Sequence, residues 1–224
     1  NQLNEIENIE LAKEKMRIFL VKRKRKSTTK EIILAVPYCC GSSFVDEYKE
    51  QIILKSKYVL SIKKFEYGKD RKFLDTDYKF ETKLPVIKVL RHPEDRFWSW
   101  YNRFVLDRHT RIIDANIPKG SFCAKRATPH NFNIWVEHFK KDLFLNDETV
   151  HTTPQFLLHS KIISTSKTTW IHMEEINSIL GIKPDSIRGH TRNYRSRNIR
   201  NNEFSAIINN LYKEDIKFFK ETIT

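Results

Sequence analysis

Two segments of the sequence combine residues that can bind phosphate groups, and each lies where an apolar strand is expected to end. The segment 91–101 places Arg91 directly after an apolar run and Ser99 eight residues later, with a proline turn between them. A guanidinium offers a forked donor, and the start of the following helix adds N–H groups with a positive dipole end. The second segment, 39–44, is a turn of small residues containing Gly41, Ser42 and Ser43. Small residues let backbone N–H groups and hydroxyls approach an anion closely.

The spacing within these segments excludes some phosphate chemistry and leaves one alternative open. The GxxxxGK[ST] pattern is absent, and no lysine precedes Ser42, so a nucleoside-triphosphate kinase or ATPase is disfavoured. Taken alone, segment 91–101 can also be an ordinary strand, turn and helix whose arginine and serine face solvent. Taken together, the two segments predict two anion sites at the carboxyl edge of one sheet, where open α/β sheets bind ligands.

The elements that would position these residues alternate between strand and helix patterns, which predicts an α/β fold. We expect a single domain with a central parallel β-sheet flanked by helices. The expected strands are 32–36, 58–62, 86–90 and 169–172, and residues 156–163 can be helix or strand. Helical spacing covers 3–20, 44–55, 93–107, 132–145, 173–180 and 203–222. Residues 22–26 are interpreted as a solvated basic linker, so the predicted organisation is 1–29, an N-terminal helix and linker, and 30–224, the α/β domain.

Charge and cysteine content narrow the partners and the compartment. The 224 residues carry a formal net charge of +13, which favours anionic partners such as nucleic acid, phosphorylated cofactors, acidic glycans or a membrane surface. No apolar run approaches the ~18 residues that a membrane span needs. The three cysteines do not resemble a disulfide framework, which favours a reducing compartment. The sequence has neither a CxxC pair nor an HExxH motif, so we expect no metal site. The low cysteine content and the lack of a visible membrane anchor favour a cytoplasmic protein of bacterial or viral type.

The chain resembles the PAPS-dependent sulfotransferase superfamily, in the branch of Golgi carbohydrate sulfotransferases and their bacterial relatives (PAPS is 3′-phosphoadenosine 5′-phosphosulfate). Segment 36–44, VPYCCGSSF, is similar to the family loop VPKxx[SG][ST][ST], and segment 91–101, RHPEDRFWSWY, is similar to RDPxxRxxSxY with histidine in place of aspartate. Segment 151–155, HTTPQ, and segment 211–219, LYKEDIKFF, resemble a further loop and the closing helix. The resemblance covers residues 30–220 and implies a P-loop-like sulfotransferase architecture. Because Golgi members share these motifs, the resemblance also implies an alternative location, the Golgi lumen, for a protein whose anchor has been removed.

The resemblance also implies a reaction and a set of binding residues. A sulfuryl group would move in line from PAPS to a hydroxyl of a carbohydrate or other hydroxylated metabolite, without a covalent intermediate, a metal or specific nucleic acid, leaving adenosine 3′,5′-bisphosphate (PAP). The basic stretch 108–130 would bind this acceptor, and its charge suits an acidic one. The residues implied for the nucleotide are Tyr38, Cys39, Cys40, Gly41, Ser42, Ser43 and Phe44 at the 5′-phosphosulfate, Arg91 and Ser99 at the 3′-phosphate, and Arg192 and Arg195 from a basic closing loop.

The catalytic residues are less determined by the pattern. The base for the acceptor proton is expected at Glu66, with Asp70 behind it and His151 or His109 as alternatives. Tyr38 stands where the family usually has lysine or arginine, a cation that stabilises charge on the leaving oxygen. Another cation, from Lys63, Lys64 or a loop arginine, would replace it, or turnover is slow, or activity is lost. An inactive nucleotide-binding module and a basic nucleic-acid-binding protein are the alternative functions.

Overall fold

Residues 32–36 and 86–90 lie in buried strands, as their apolar runs predict, and apolar residues three or four apart mark the helix that covers Asn202–Leu211. The computed structural model describes residues 16–65, 79–101, 153–184, 186–187 and 202–223. The strands are β1 Met16–Arg25, β2 Thr28–Pro37, β3 Val59–Lys64, β4 Phe80–Thr82, β5 Val86–Leu90, β6 Ile162–Ser164 and β7 Thr168–His172. The helices are α1 Ser42–Glu47, α2 Lys49–Lys55, α3 Pro93–Tyr101, α4 Gln155–Ser160, α5 Ile176–Ile179, α6 Asn202–Leu211 and α7 Lys213–Ile223, with a 3-10 turn at Met173–Glu175.

The central sheet is mixed rather than parallel. Its five strands lie in the order β3-β1-β2-β5-β7, and a separate pair joins β4 to β6. Strands β2, β5 and β7 are parallel, whereas β1 is antiparallel to both β2 and β3. Strand β3 therefore runs in the same direction as β2. The carboxyl ends of β2, β3, β5 and β7 consequently share one edge of the sheet with the amino end of β1.

Apolar side chains cover both faces of the central sheet, because alternate residues of β2 enter two different clusters. Ile32, Leu34 and Val36 pack with residues of α1, α2 and α5 on one face. Ile33 and Ala35 pack with residues of α4 and β6 on the other. A sheet flanked by helices on both faces confirms the α/β class, and it explains why β2 is a continuous apolar run.

The helix predicted over residues 3–20 is wrong for its described part, since residues 16–20 belong to β1. Met16 and Ile18 enter one apolar cluster, while Phe19 and Val21 enter the other. A strand buried on both faces loses its alternation, so its apolar residues can match a helical spacing by chance. Residues 22–25, expected in a solvated linker, continue β1 and pair with β2. The boundary expected after residue 29 falls inside β2.

Two further expectations about secondary structure differ from the structure. Strand β1 lies reversed between β2 and β3, so the predicted parallel sheet is wrong in this half, while the parallel pairing of β2, β5 and β7 is confirmed. The helix predicted over 203–222 is divided at Tyr212 into α6 and α7. Tyr212 is 3% exposed and packs its ring against Phe97, and its backbone keeps helical hydrogen bonds to Ile208 and Ile216 across the division.

None of the helices in the described part of the chain has the length and apolar composition needed to cross a membrane.

Candidate functional site

The two predicted anion-binding segments lie side by side at the carboxyl edge of the sheet. Strands β2 and β5 are adjacent and parallel, with Leu34 paired to Ile87. The turn 38–41 leads from β2 into α1, and Arg91 and His92 lead from β5 into α3. Neighbouring parallel strands deliver their following loops to the same edge, so the topology brings the two segments together.

The turn after β2 has a backbone that requires glycine. Gly41 has a φ of 94°, and a Cβ at this position would lie 2.8 Å from Cδ1 of Ile176. Cys39 also has a positive φ, 61°, and the Cys40 N–H closes the turn by donating to the Pro37 carbonyl at 3.1 Å. This tight turn presents the first residues of α1, whose N–H groups have no acceptor within the helix. Ser42 is 1% exposed, and its hydroxyl meets no hydrogen-bonding partner among the described residues.

Arg91 connects the two segments directly. Its guanidinium Nη1 donates a 2.8 Å hydrogen bond to the carbonyl of Cys39. Its backbone N–H donates to Oε1 of Gln155 at 2.9 Å, and its carbonyl accepts from Nε2 of Gln155 at 2.7 Å. The amide of Gln155 thus pairs with the Arg91 backbone as a neighbouring strand would. The side chain of Arg91 is half-buried and is held against residues 38–43, which we name the phosphate-loop turn after the anion site predicted there from the sequence.

Arg96 has a structural position beneath the same turn. Its side chain is 2% exposed, its Nε donates to the Tyr38 carbonyl at 3.0 Å, and its Nη1 donates to the Thr153 carbonyl at 2.6 Å. Its Nη2 is buried and finds no acceptor in the described ranges. A buried guanidinium that donates to two backbone carbonyls fixes both segments in position, because each carbonyl would otherwise lose its partner.

Gln155 and Asp215 complete a buried polar network around Arg91 and Arg96. Gln155 is fully buried; its Oε1 also accepts from the Cys40 thiol at 3.3 Å, and its Nε2 donates to Asp215 Oδ2 at 3.3 Å. The second oxygen of Asp215 accepts from the Phe156 N–H at 3.1 Å. The amide of Gln155 therefore uses both donors and both acceptor sites, which is the condition for burying it. Its network ties α7 and α4 to the two loops.

Burial dominates the titration of these groups. Desolvation raises the pKa of the Asp215 carboxyl, and the positive charge of Arg96 opposes that rise. Desolvation also raises the pKa of the Cys40 thiol to about 12, against the charges of Arg96 and Arg91. The Cys40 thiol therefore stays protonated at neutral pH and acts as a hydrogen-bond donor. It is a poor nucleophile, because only the thiolate form of cysteine is an effective one.

The structure describes nine of the predicted site residues, and eight of them lie at this edge. Seven form one continuous stretch, Arg91 contacts it, and Ser99 lies half-buried in α3; the stretch is Tyr38, Cys39, Cys40, Gly41, Ser42, Ser43 and Phe44. The hydrogen bonds of Arg91 and Arg96 to described residues do not include Ser99. The remaining predicted residues lie outside the described ranges and stay predictions; they are Glu66, Asp70, His109, His151, Arg192 and Arg195.

Several residues at this edge were not predicted as site residues. Arg17 lies at the amino end of β1, and it was missed because that segment was expected to be helical. Its Nη1 lies 3.5 Å from Ser43 Oγ and 3.4 Å from Asp46 Oδ2. Gln155 and Asp215 stand in the two weaker sequence resemblances, but nothing in the sequence indicated that they would bond each other.

No protein-family model, curated protein or solved structure matches this chain. The described residues also contain no group of three or more histidine, cysteine, aspartate or glutamate side chains placed to hold a metal ion.

Proposed function

We propose that this protein is a PAPS-dependent sulfotransferase with a P-loop-like sulfotransferase architecture. The observation that carries the proposal is the 2.8 Å hydrogen bond from Arg91 to the carbonyl of Cys39. It joins the strand-end arginine of one predicted phosphate segment to the glycine-serine turn of the other. A nucleotide with phosphates at both ends of its ribose would have one anionic group for each segment.

The residues of the turn fit an anionic ligand. Gly41 adopts a conformation and a close packing that exclude a side chain, so the backbone itself is presented. The hydroxyl of Ser42 is buried without a partner among the described residues, although a buried hydroxyl ordinarily finds one. A bound phosphate oxygen would accept from it. Arg91 would add a charged donor on the β5 side.

The buried network supports the same assignment from below. All four segments that resemble the family contribute to it, through Cys40, Arg91 and Arg96, Gln155, and Asp215. These residues bond to one another or to backbone, so their role is to hold the two loops at a fixed separation. Fixed positioning of this kind is what in-line group transfer without a covalent intermediate requires.

In the proposed reaction, PAPS supplies the activated sulfuryl group and leaves as PAP. The turn after β2 would hold its phosphosulfate end, while Arg91 and Ser99 would hold the 3′-phosphate. The base for the acceptor hydroxyl is assigned from sequence to Glu66 or His151, and the acceptor region to residues 108–130, all outside the described ranges. An acceptor carbohydrate or hydroxylated metabolite, acidic in character, remains the proposed substrate class.

The test is isothermal titration of the whole chain with PAP, compared with ATP, NAD and a short DNA duplex. We expect PAP to bind and Arg91→Ala to weaken it by about ten- to a hundredfold, the effect of losing a charged hydrogen bond. Ser99→Ala should weaken it less, because a neutral donor contributes less. Ser160→Ala is the matched control, since this exposed hydroxyl donates only to the Leu157 carbonyl.

Four results would change the assignment. Absence of PAP binding, or equal PAP affinity in wild type and Arg91→Ala, would refute the nucleotide site, and tight DNA binding without PAP binding would favour a nucleic-acid-binding protein. PAP binding without transfer of labelled sulfate to any glycan acceptor would instead favour an inactive nucleotide-binding module.

A further inference from the structure

Four charged or hydroxyl side chains and the ring of Tyr38 form one connected set of contacts at the loop edge. This β1-edge cluster consists of Arg17, Ser43, Asp46 and Lys64 with Tyr38 itself. The guanidinium of Arg17 lies over the Tyr38 ring, 5.1 Å from its centroid. Arg17 Nη1 also lies 3.5 Å from Ser43 Oγ, so one side chain contacts both the tyrosine and the serine of the phosphate-loop turn.

The reversed direction of β1 brings Arg17 to this edge. Met16 pairs with Pro37 and Arg17 pairs with Val36, so the first residues of β1 lie beside the last residues of β2. A parallel strand would place its amino end at the opposite edge. The central sheet therefore brings a cation to the phosphate-loop turn from a neighbouring strand. The turn itself has Tyr38, an uncharged residue, where the resembled family usually has lysine or arginine.

The charge of the cluster is positive and held in place. Asp46 Oδ2 lies 3.4 Å from Arg17 Nη1 and 3.3 Å from Lys64 Nζ, so one carboxylate is shared by two cations. These three charged side chains have a net charge of one positive unit. The Nε–H of Arg17 is buried and meets no acceptor among the described residues, although such groups are normally paired. Arg17 thus keeps an N–H donor that no described residue uses.

We propose that Arg17 supplies the positive charge for the 5′-anionic end of the nucleotide, replacing the cation that Tyr38 does not provide. This inference rests on the proposed sulfotransferase function. Tyr38 positions Arg17 through a cation–π contact, and Asp46 orients the guanidinium from the other side. Arg17 then contacts the same anion as Ser43, on the side of the turn opposite Arg91.

Arg17 fits this role better than either neighbouring lysine. Lys64 contacts Asp46, but its described contacts do not include Tyr38 or Ser43. Lys63 lies exposed on β3, on the opposite side of the strand from Lys64. A guanidinium can also donate two parallel hydrogen bonds to an anion, which an ammonium group cannot do with fixed geometry.

The experiment compares two ligands that differ only in the 5′-phosphate, PAP and adenosine 3′-monophosphate, against wild type and Arg17→Met. Arg17→Met should lose about ten- to a hundredfold in affinity for PAP, the effect of removing a charged hydrogen bond. Its affinity for adenosine 3′-monophosphate should stay within about twofold of wild type, because that ligand places no anion at the phosphate-loop turn. Adding Tyr38→Lys to Arg17→Met should restore much of the lost PAP affinity.

The matched control is Arg23→Met. Arg23 lies on the same strand, and its guanidinium also covers a tyrosine, 5.9 Å from the ring centroid of Tyr58. It lies at the far end of β1 and should leave the affinity for both ligands unchanged. Should Arg17→Met fail to fold, the Nε–H resonance of Arg17 in the wild-type protein provides the readout: it should shift with PAP and not with adenosine 3′-monophosphate.

The outcomes separate this inference from the function on which it rests. If wild type binds PAP and Arg17→Met binds it equally well, or if Arg17→Met weakens both ligands equally, Arg17 has only a structural role and the inference is wrong. An Arg17 resonance that does not move with PAP has the same meaning. If wild type does not bind PAP at all, the proposed sulfotransferase function is wrong, and the role of Arg17 that depends on it is wrong as well.

Discussion

His159 should make the stability of this protein sensitive to mild acid. The residue lies in α4, is 1% exposed, and its Nε2–H donates to the carbonyl of Val89 at 2.8 Å. Because a carbonyl only accepts, Nε2 carries the proton and Nδ1 carries the lone pair. Nδ1 is buried and has no partner among the described residues. Protonating the ring would therefore bury a charge and an N–H donor for which the described residues offer no acceptor.

The size of the effect is set by the shift in the pKa of His159. Burial lowers it from 6.5 to about 3, with smaller contributions from the positive charges of Lys88 and Arg96, while the hydrogen bond to Val89 opposes the shift. Between these two values the unfolded chain binds a proton that the folded protein does not. The part of the unfolding free energy that depends on a neutral His159 is thus fully present above pH 6.5 and is lost as the pH falls toward 3. Integrated from about pH 7 to pH 5, the loss amounts to about 2 kcal/mol.

The assay is urea unfolding of wild type and His159→Gln at both pH values. Glutamine keeps an N–H donor for the Val89 carbonyl and cannot be protonated, so the variant lacks this part of the pH dependence. We expect the free energy of unfolding to fall by about 2 kcal/mol more in wild type than in the variant. Equal losses in the two proteins would refute the reasoning. A wild-type imidazole resonance that titrates near its ordinary value would also refute it, and needs no variant.

The remaining predictions concern the phosphate-loop turn. Gly41→Ala should destabilise the fold by about 1–2 kcal/mol in urea unfolding, since its φ is 94°, and should also weaken PAP binding. Gly181→Ala, at a residue with a φ of 67° that lies away from the turn, should destabilise the fold without weakening PAP binding. Equal effects of the two variants on PAP binding would contradict this prediction. In a variant with Cys123 replaced by serine, iodoacetamide should label the half-exposed Cys39 and leave Cys40 unmodified until the protein unfolds. The reason is that burial covers the Cys40 thiol and raises its pKa to about 12. Mass spectrometry that finds Cys40 labelled in the folded protein would contradict this prediction.

Residues far apart in the sequence make the candidate site rigid, and this has a consequence for mutational analysis. Arg96, Gln155 and Asp215 bond to one another's segments rather than to solvent. Removing one of them leaves a buried partner without its hydrogen bond, which costs stability as well as site geometry. Variants at Arg91 and Arg17, which are only partly buried, therefore test ligand binding more cleanly than variants of the network beneath them.

The sequence by itself determined where several strands end and which residues come directly after them. The apolar runs of β2 and β5 are visible because strands buried on both faces are continuously apolar, and Pro37 and Pro93 mark where these runs end. It therefore placed Arg91 and the Gly41–Ser43 turn after two strands. Strand β1 was not recognised for the same physical reason. Its apolar residues lie on both faces of the sheet, so their spacing also matches that of a helix.

Tertiary structure alone decided which side chains meet. The reversed direction of β1 is not visible in its own residues, because strand direction depends on pairing with β2 and β3, and this direction brings Arg17 over Tyr38. The contacts of Gln155 with Arg91 and Asp215 likewise join segments that are distant in the chain. Local residue patterns report periodicity and turns, whereas such contacts arise only when the packed sheet and helices bring their ends to one place.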